Sequence, residues 1–265
     1  MRSSAFGRSK TLVAAFTLVL AAMGLGCGGA SPKMSAVTPP GNPVPKGSPV
    51  LLYVGAGTSA SDVTAWKSLL ASSNVTYTTA DESQLNAASV PELASHQLLI
   101  VPGGNSITIG SSLSPGASAN IRSAVQQGLN YLGICAGAFY GGFSVYNGVD
   151  LTSGVWFNFY QDENRGIHKE PVNLSFPDGS VLEMYWEDGP QLSGWGEVVA
   201  KFPDGTPAIV EGNFGKGFVL LTGIHAEAPE SWRAGFSFST PLQTDLTYAA
   251  TVLQSALQGS PLPHF

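Results

Sequence analysis

The sequence predicts an α/β protein with a doubly wound, mostly parallel sheet, helices on both faces and additional short antiparallel strands in its second half. Two observations carry this prediction. Between residues 50 and 134, short apolar runs alternate with segments of helical periodicity, which is the pattern of parallel strands joined by crossover helices. Beyond residue 170, short strand-like runs follow one another with only turn signals between them.

In the first half, apolar runs that end at glycine or proline indicate buried strands, and apolar residues at helical spacing indicate helices. Val63, Trp66 and Leu70 give the first helix one apolar face, and Ser61 or Asp62 is a suitable N-cap. In chain order, the predicted elements are a strand at Val50–Val54, a helix at Asp62–Ser72, strands at Val75–Thr79 and Gln97–Val101, a helix at Ala117–Gln127 and a strand at Leu129–Ile134.

The second half consists mainly of short strands separated by turn sequences such as Pro177-Asp178-Gly179. A helix closes the chain, and the folded length of some 200 residues is typical of a single domain, which we place at residues 50–258. The predicted elements are strands at Val172–Phe176, Val181–Trp186, Glu197–Phe202, Ala208–Glu211 and Gly217–Thr222, and a helix at about Pro241–Leu257.

Composition excludes several classes of protein. The chain of 265 residues has 18 acidic and 12 basic residues, a formal net charge of −6, so no basic surface for nucleic acid is expected. Two cysteines are too few for a disulfide scaffold or a Cys-rich zinc site. No motif indicates a metal or a cofactor, and nothing in the pattern indicates an oligomeric state.

The N-terminus has the layout of an export signal. Arg2, Arg8 and Lys10 precede an apolar run of about fifteen residues, which is shorter than the ~20 of a membrane-spanning helix. Gly24-Leu25-Gly26-Cys27 resembles a bacterial lipobox, so we expect a lipoprotein signal at residues 1–26, lipidation of Cys27 and a Pro/Gly/Ser-rich tether at 27–49. The protein would then face the periplasm, anchored to the membrane by its lipid. The alternative is an ordinary signal peptide with Cys27 incidental.

Cys135 is the candidate nucleophile. It follows the strand at Leu129–Ile134 and is flanked by Gly133, Ala136 and Gly137, whose small side chains permit a sharp turn from strand into helix. Such a turn lifts the cysteine above the sheet edge, and the helix N-terminus favours thiolate over thiol. The alternative is a buried structural cysteine, which is common in protein cores.

Two further strand ends supply groups that a cysteine nucleophile needs. His225 could accept the thiol proton and Glu227 could orient the imidazole, because both follow the strand at Gly217–Thr222. Gly103 and Gly104 end a third strand, where backbone N–H groups could stabilise an oxyanion together with the N–H of Ala136. Since catalytic groups gather at the carboxyl ends of parallel strands, the three ends predict one site.

Four runs carry a resemblance to a known family: Leu98–Gly104, Tyr131–Ala138, Gly223–Glu227 and Trp186–Pro190. They resemble class I glutamine amidotransferase-like domains, and within that superfamily they are most similar to the N-terminal domain of some eukaryotic biotin–protein ligases. The resemblance covers about residues 50–255. It implies a flavodoxin-like sheet, a Cys135–His225–Glu227 triad and an oxyanion hole at Gly104 and Ala136.

The sequence departs from the glutamine-hydrolysing members at Phe139, where they have a glutamine that helps to hold the substrate. We therefore expect a cysteine-dependent hydrolase or amidase-like protein that acts on another amide or acyl compound, a small molecule or a peptide. Gly103, Phe139, Tyr140, Glu187 and Asp188 are the expected pocket residues. The alternative function is a non-catalytic module that binds a ligand in the same pocket.

Overall fold

The computed structural model describes residues 48–161 and 166–265. The predicted export signal, Cys27 and the tether up to residue 47 lie outside these residues. Among the described residues, no helix is both long and apolar enough to cross a bilayer.

A nine-stranded mixed sheet forms the centre of the fold, with the strand order β2-β1-β3-β4-β11-β10-β9-β6-β7. The strands are β1 (Val50–Tyr53), β2 (Tyr77–Ala80), β3 (Leu98–Val101), β4 (Asn130–Ile134), β6 (Lys169–Ser175), β7 (Val181–Glu187), β9 (Glu197–Lys201), β10 (Pro207–Phe214) and β11 (Gly217–Thr222), and a separate pair is formed by β5 (Asn158–Phe159) and β8 (Pro190–Gln191). The first five strands of the order are parallel, and β10, β9, β6 and β7 continue the sheet by antiparallel pairing. This arrangement confirms the predicted fold class, because a parallel 2-1-3-4-5 order is that of flavodoxin-like sheets.

Helices cover both faces of the parallel part. They are α1 (Ala60–Ser72), α2 (Glu82–Ala87), α3 (Val90–Leu93), α4 (Ser106–Ser112), α5 (Pro115–Gln127), α6 (Ala136–Gly141), α7 (Glu230–Arg233) and α8 (Leu242–Gln258). Alternate residues of each parallel strand enter opposite cores: Leu52 packs in the core with α1 and α8, and Leu51 packs in the core with α2 to α6. Burial on both faces explains why β1 and β3 are apolar throughout.

The folded part extends slightly beyond the predicted limits of 50 and 258. The carbonyl of Pro49 accepts the N–H groups of Gln97 and Leu98, and that of Ser48 lies 2.7 Å from His96 Nδ1, so both residues are held against the domain. At the other end, the N–H of Leu262 donates to Glu211 at 2.9 Å and that of Phe265 donates to Val198 O at 2.9 Å. Backbone hydrogen bonds therefore fix both extensions to the domain.

Candidate active site

Three adjacent strands bring the predicted residues to one edge of the sheet. Cys135 follows β4, His225 lies three residues beyond β11, and Gly103 lies two beyond β3. Because β3, β4 and β11 are parallel neighbours, their carboxyl ends meet. A Cβ built on Gly103 would lie 3.4 Å from Cys135 Cβ and 2.6 Å from His225 Cε1, so Gly103 lies between the two residues.

Cys135 occupies a strained turn between β4 and α6. Its φ of 48° and ψ of −104° are unusual for a residue with a side chain, and its N–H donates to Thr222 O at 2.8 Å. The turn requires small neighbours: a Cβ on Gly137 would lie 1.9 Å from Val101 O, and one on Gly133 would lie 2.5 Å from Gly137 O. The strand-to-helix geometry is that of a nucleophile elbow.

Two further buried side chains lie beside Cys135. His225 lies next to Cys135 across Gly103, and its Nδ1 lies 2.7 Å from Glu227 Oε1. His225 and Glu227 are 5% and 3% exposed, so water does not screen the contact. The Cys135 thiol also points to the Glu187 carbonyl oxygen at 3.4 Å.

The surroundings of His225 favour its charged form. Burial alone would lower its pKa, but the hydrogen-bonded Glu227 carboxylate and the neighbouring Cys135 raise the pKa of His225 well above its usual value. An imidazolium between a thiol and a carboxylate favours ionisation of the thiol.

Two backbone N–H groups near Cys135 are available to a ligand. In the part of the chain that the structure describes, the N–H groups of Gly104 and Ala136 donate to no acceptor. Gly104 has a φ of +144°, and a Cβ there would lie 2.1 Å from Gly57 O, so only glycine fits. The N–H of Gly103 is already bound by the Asp62 carboxylate.

Asp62 is a site residue that the sequence did not reveal. The N-cap of α1 is Ser59, so the predicted capping role of Ser61 or Asp62 is wrong. Asp62 lies in the first turn with its Oδ2 3.8 Å from His225 Nδ1, and its buried Oδ1 has no hydrogen-bond partner. Burial, followed by the charge of Glu227, raises the pKa of Asp62 well above its usual value, against the effects of His225 and the Gly103 N–H.

Asp62, His225 and Glu227 also form a group in which three potential metal ligands lie within 4.8 Å of one another. The His225 Nδ1 and Glu227 Oε1 atoms are in direct hydrogen-bond contact, and Asp62 holds the Gly103 N–H. An ion at this place would have to break both contacts. The donor set therefore fits a proton-sharing network better than a metal centre.

The site opens into a cavity of about 760 Å³. Gly103, Phe139, Glu187 and Asp188 line it, as the sequence predicts for the pocket. The two carboxylates have partners within the protein: the Tyr185 hydroxyl donates to Glu187 at 2.5 Å, and the His168 N–H donates to Asp188 at 3.1 Å.

Tyr140 is not a pocket residue, contrary to the prediction. It is buried, it does not line the cavity, and its hydroxyl is 2.9 Å from Ser118 Oγ. Successive residues of a helix point about 100° apart, so Phe139 faces the cavity while Tyr140 points into the core. Burial raises the pKa of Tyr140 above its usual value.

Comparisons with known proteins agree with this architecture. The model of the family "Biotin-protein ligase, N terminal" matches residues 48–167, which include Cys135 and end before His225. Together with the relatives below, this match shows a class I glutamine amidotransferase-like fold.

Among curated proteins, the chain is similar to the pyridoxal 5'-phosphate synthase subunit PdxT of Pseudothermotoga lettingae. The two are 26% identical over 152 residues, which cover 54% of this chain and 75% of PdxT. Among solved structures, PurLQS from Thermotoga maritima matches with a TM-score of 0.53 at 16% identity, over 78% of this chain and 98% of that one. The second likeness bears on the fold alone.

Proposed function

We propose that the protein is an exported, cysteine-dependent hydrolase of amides or related acyl compounds. The observation that supports this function best is the placement of His225, hydrogen-bonded to Glu227, beside Cys135 on a strained elbow that has two free backbone N–H groups near it. The fold alone would not support it, since this fold carries many functions.

In the proposed reaction, the Cys135 sulfur attacks the acyl carbon while His225 holds the thiol proton. The N–H groups of Gly104 and Ala136 stabilise the oxyanion. The C–N bond then breaks, His225 gives its proton to the departing amine, and a thioester remains on Cys135. Water, deprotonated by His225, hydrolyses the thioester and restores the thiol. Glu227 orients His225 and stabilises its positive charge.

Glutamine is a poor fit to this site. Phe139 lies in the cavity wall, and the centroid of its ring is 4.9 Å from that of Phe159. An apolar pair therefore occupies the place where glutamine-hydrolysing proteins have a side-chain amide that holds the substrate. The proposed substrate is therefore an amide or acyl compound other than glutamine.

An activated ester tests the function without knowledge of the natural substrate. With p-nitrophenyl acetate, we expect a burst of nitrophenolate and an intact-mass increase of one acetyl group on Cys135. Cys135→Ala should remove both signals, and His225→Ala should slow acylation on the order of 10²- to 10⁴-fold. A folded protein that is never acetylated would instead support a non-catalytic binding module.

Export is a second part of the proposal, and it rests on the N-terminal sequence pattern. The basic residues, the apolar run and Gly24-Leu25-Gly26-Cys27 support a lipid anchor at Cys27 in the bacterial envelope. Cys135 would then be the only thiol that remains unmodified in the mature chain.

A further inference from the structure

The cavity above Cys135 is bordered by apolar side chains that are exposed to solvent. Six of the nine exposed large apolar residues in the described part of the chain line this one cavity. We call them the rim: Ile107, Phe143, Tyr146, Trp156, Phe159 and Ile167. Exposed apolar residues scattered singly need no explanation, but a contiguous group around a concave site marks a binding surface.

The rim is held in place by the backbone beneath it. The Phe143 N–H donates to Val155 O at 3.0 Å, and the rings of Phe143 and Trp156 meet edge to face at 6.4 Å. Trp156 is 48% exposed although Phe157 next to it is buried. The ring is thus fixed at the mouth of the cavity without being part of the core.

Several polar side chains around the cavity are engaged by the protein itself. Asn105 Oδ1 caps α4 through the Thr108 N–H at 2.9 Å, and Ser144 Oγ accepts the Tyr146 N–H at 3.2 Å. Like the carboxylates of Glu187 and Asp188, these groups already have partners. The aromatic faces therefore offer the larger free surface to a ligand.

The size of the cavity also favours a ligand larger than glutamine. Its volume of about 760 Å³ falls within the roughly 300–1,000 Å³ of pockets that enclose drug-sized ligands. An amide as small as glutamine would leave most of that space to water.

We propose that the substrate carries a large, ring-containing apolar group next to its scissile acyl bond. This group lies against Phe143 and Trp156 while the acyl carbon reaches Cys135. The inference rests on the proposed function, because it assigns the cavity to the substrate of Cys135.

Two electrophiles with the same reactive group test the inference. N-Methylchloroacetamide and N-(2-naphthylmethyl)chloroacetamide both alkylate a thiolate, since the sulfur–carbon bond forms as chloride leaves. Labelling of Cys135 is followed by intact mass over a range of probe concentrations. We expect the naphthyl probe to saturate and to label about tenfold faster at low concentration, which corresponds to about 1.4 kcal/mol of binding.

Removal of the rim provides the control. The double substitution Phe143→Ala and Trp156→Ala should abolish the preference for the naphthyl probe, so that the two probes label Cys135 at equal rates. Phe265→Ala removes a ring of similar exposure, 50%, that does not line the cavity, and it should leave both rates unchanged.

The possible failures are distinguishable. Equal rates for the two probes in the wild type, or a preference that survives the double substitution, would overturn the inference and leave the proposed function intact. If neither probe labels Cys135 faster than a free model thiol, the proposed function itself fails, and the substrate class fails with it.

Discussion

Gly103 lies where Cys135, His225 and Asp62 converge, and a side chain there would occupy the space between them. A Cβ would lie 2.6 Å from His225 Cε1 and 2.7 Å from Asp62 Oδ2, so Gly103→Ala must displace the imidazole. We expect alkylation of Cys135 to slow on the order of 10²-fold, as for other displacements of about 1 Å in a reactive site.

The matched control for this substitution is Gly116→Ala. Gly116 lies in α5, where the nearest atom to an added Cβ is Ser114 Oγ at 3.7 Å. Alanine there should leave alkylation unchanged and raise the free energy of unfolding by about 0.5–1 kcal/mol. Equal labelling of wild type and Gly103→Ala would contradict the placement of His225 beside Cys135.

Asp62 provides a prediction about pH. Its pKa is raised in the folded protein, so the folded state binds a proton more tightly than the unfolded chain does. The contribution of Asp62 to the free energy of unfolding is fully present below its pKa in the unfolded chain, about 4. It is lost as the pH rises through its pKa in the folded protein. Asp62→Asn removes the titration, so we expect its melting temperature to rise relative to wild type from pH 4 to pH 8. If the melting temperatures of the two proteins change equally between pH 4 and pH 8, the raised pKa of Asp62 is contradicted.

The sequence allowed some site residues to be predicted and not others, for a local reason. Cys135, His225 and Gly103 each follow an apolar strand, so their meeting can be inferred from parallel pairing. Asp62 lies in the first turn of a helix, where an acidic residue is ordinarily read as part of the N-terminal cap. Only the tertiary contact with Gly103 and His225 reveals its other role.

At the scale of elements, the corner between α7 and α8 is held by a buried ion pair. Arg233 Nη1 lies 3.2 Å from Asp245 Oδ2, and the guanidinium also bonds Thr240 O and covers the Phe238 ring at 3.8 Å. This corner places Trp232, whose ring is 5.4 Å from that of His225. The ion pair thus supports one wall of the site.

Breaking that pair should be strongly destabilising. Arg233→Ala leaves a buried, unpaired carboxyl, and we expect the free energy of unfolding in urea to fall by about 3–5 kcal/mol. The half-exposed pair of Arg122 and Asp150 is the comparison, because an exposed pair contributes about 0–1 kcal/mol. Similar losses for Arg233→Ala and Arg122→Ala would contradict the account of the corner.

Element prediction succeeded where burial leaves a clear pattern. β1 and β3 are apolar on both faces, and each of the five parallel strands begins within two residues of its predicted start. Helices α2, α3, α4 and α7 have four to seven residues, too few for an apolar period to appear. The position of β6 between β9 and β7 depends on long-range pairing, which no local pattern specifies.

At the scale of the whole molecule, the open proposal is the membrane anchor. If Cys27 carries a lipid, Cys27→Ser should move the protein from the membrane fraction to the soluble fraction of fractionated bacterial cells. Labelling with a clickable fatty acid should stop as well, and Cys135→Ser should change neither result. Lipid labelling that persists without Cys27 would contradict the anchor.

The central claim is that His225 activates Cys135, and the pH dependence of iodoacetamide labelling tests it most directly. Since the pKa of His225 is raised, the thiolate–imidazolium pair should persist at neutral pH. We predict rapid labelling of Cys135 well below pH 8.5, the value near which a free thiol ionises, and a marked loss of rate at neutral pH in His225→Ala. Labelling no faster than that of a free model thiol at neutral pH, or equal rates in the two proteins, would contradict the account.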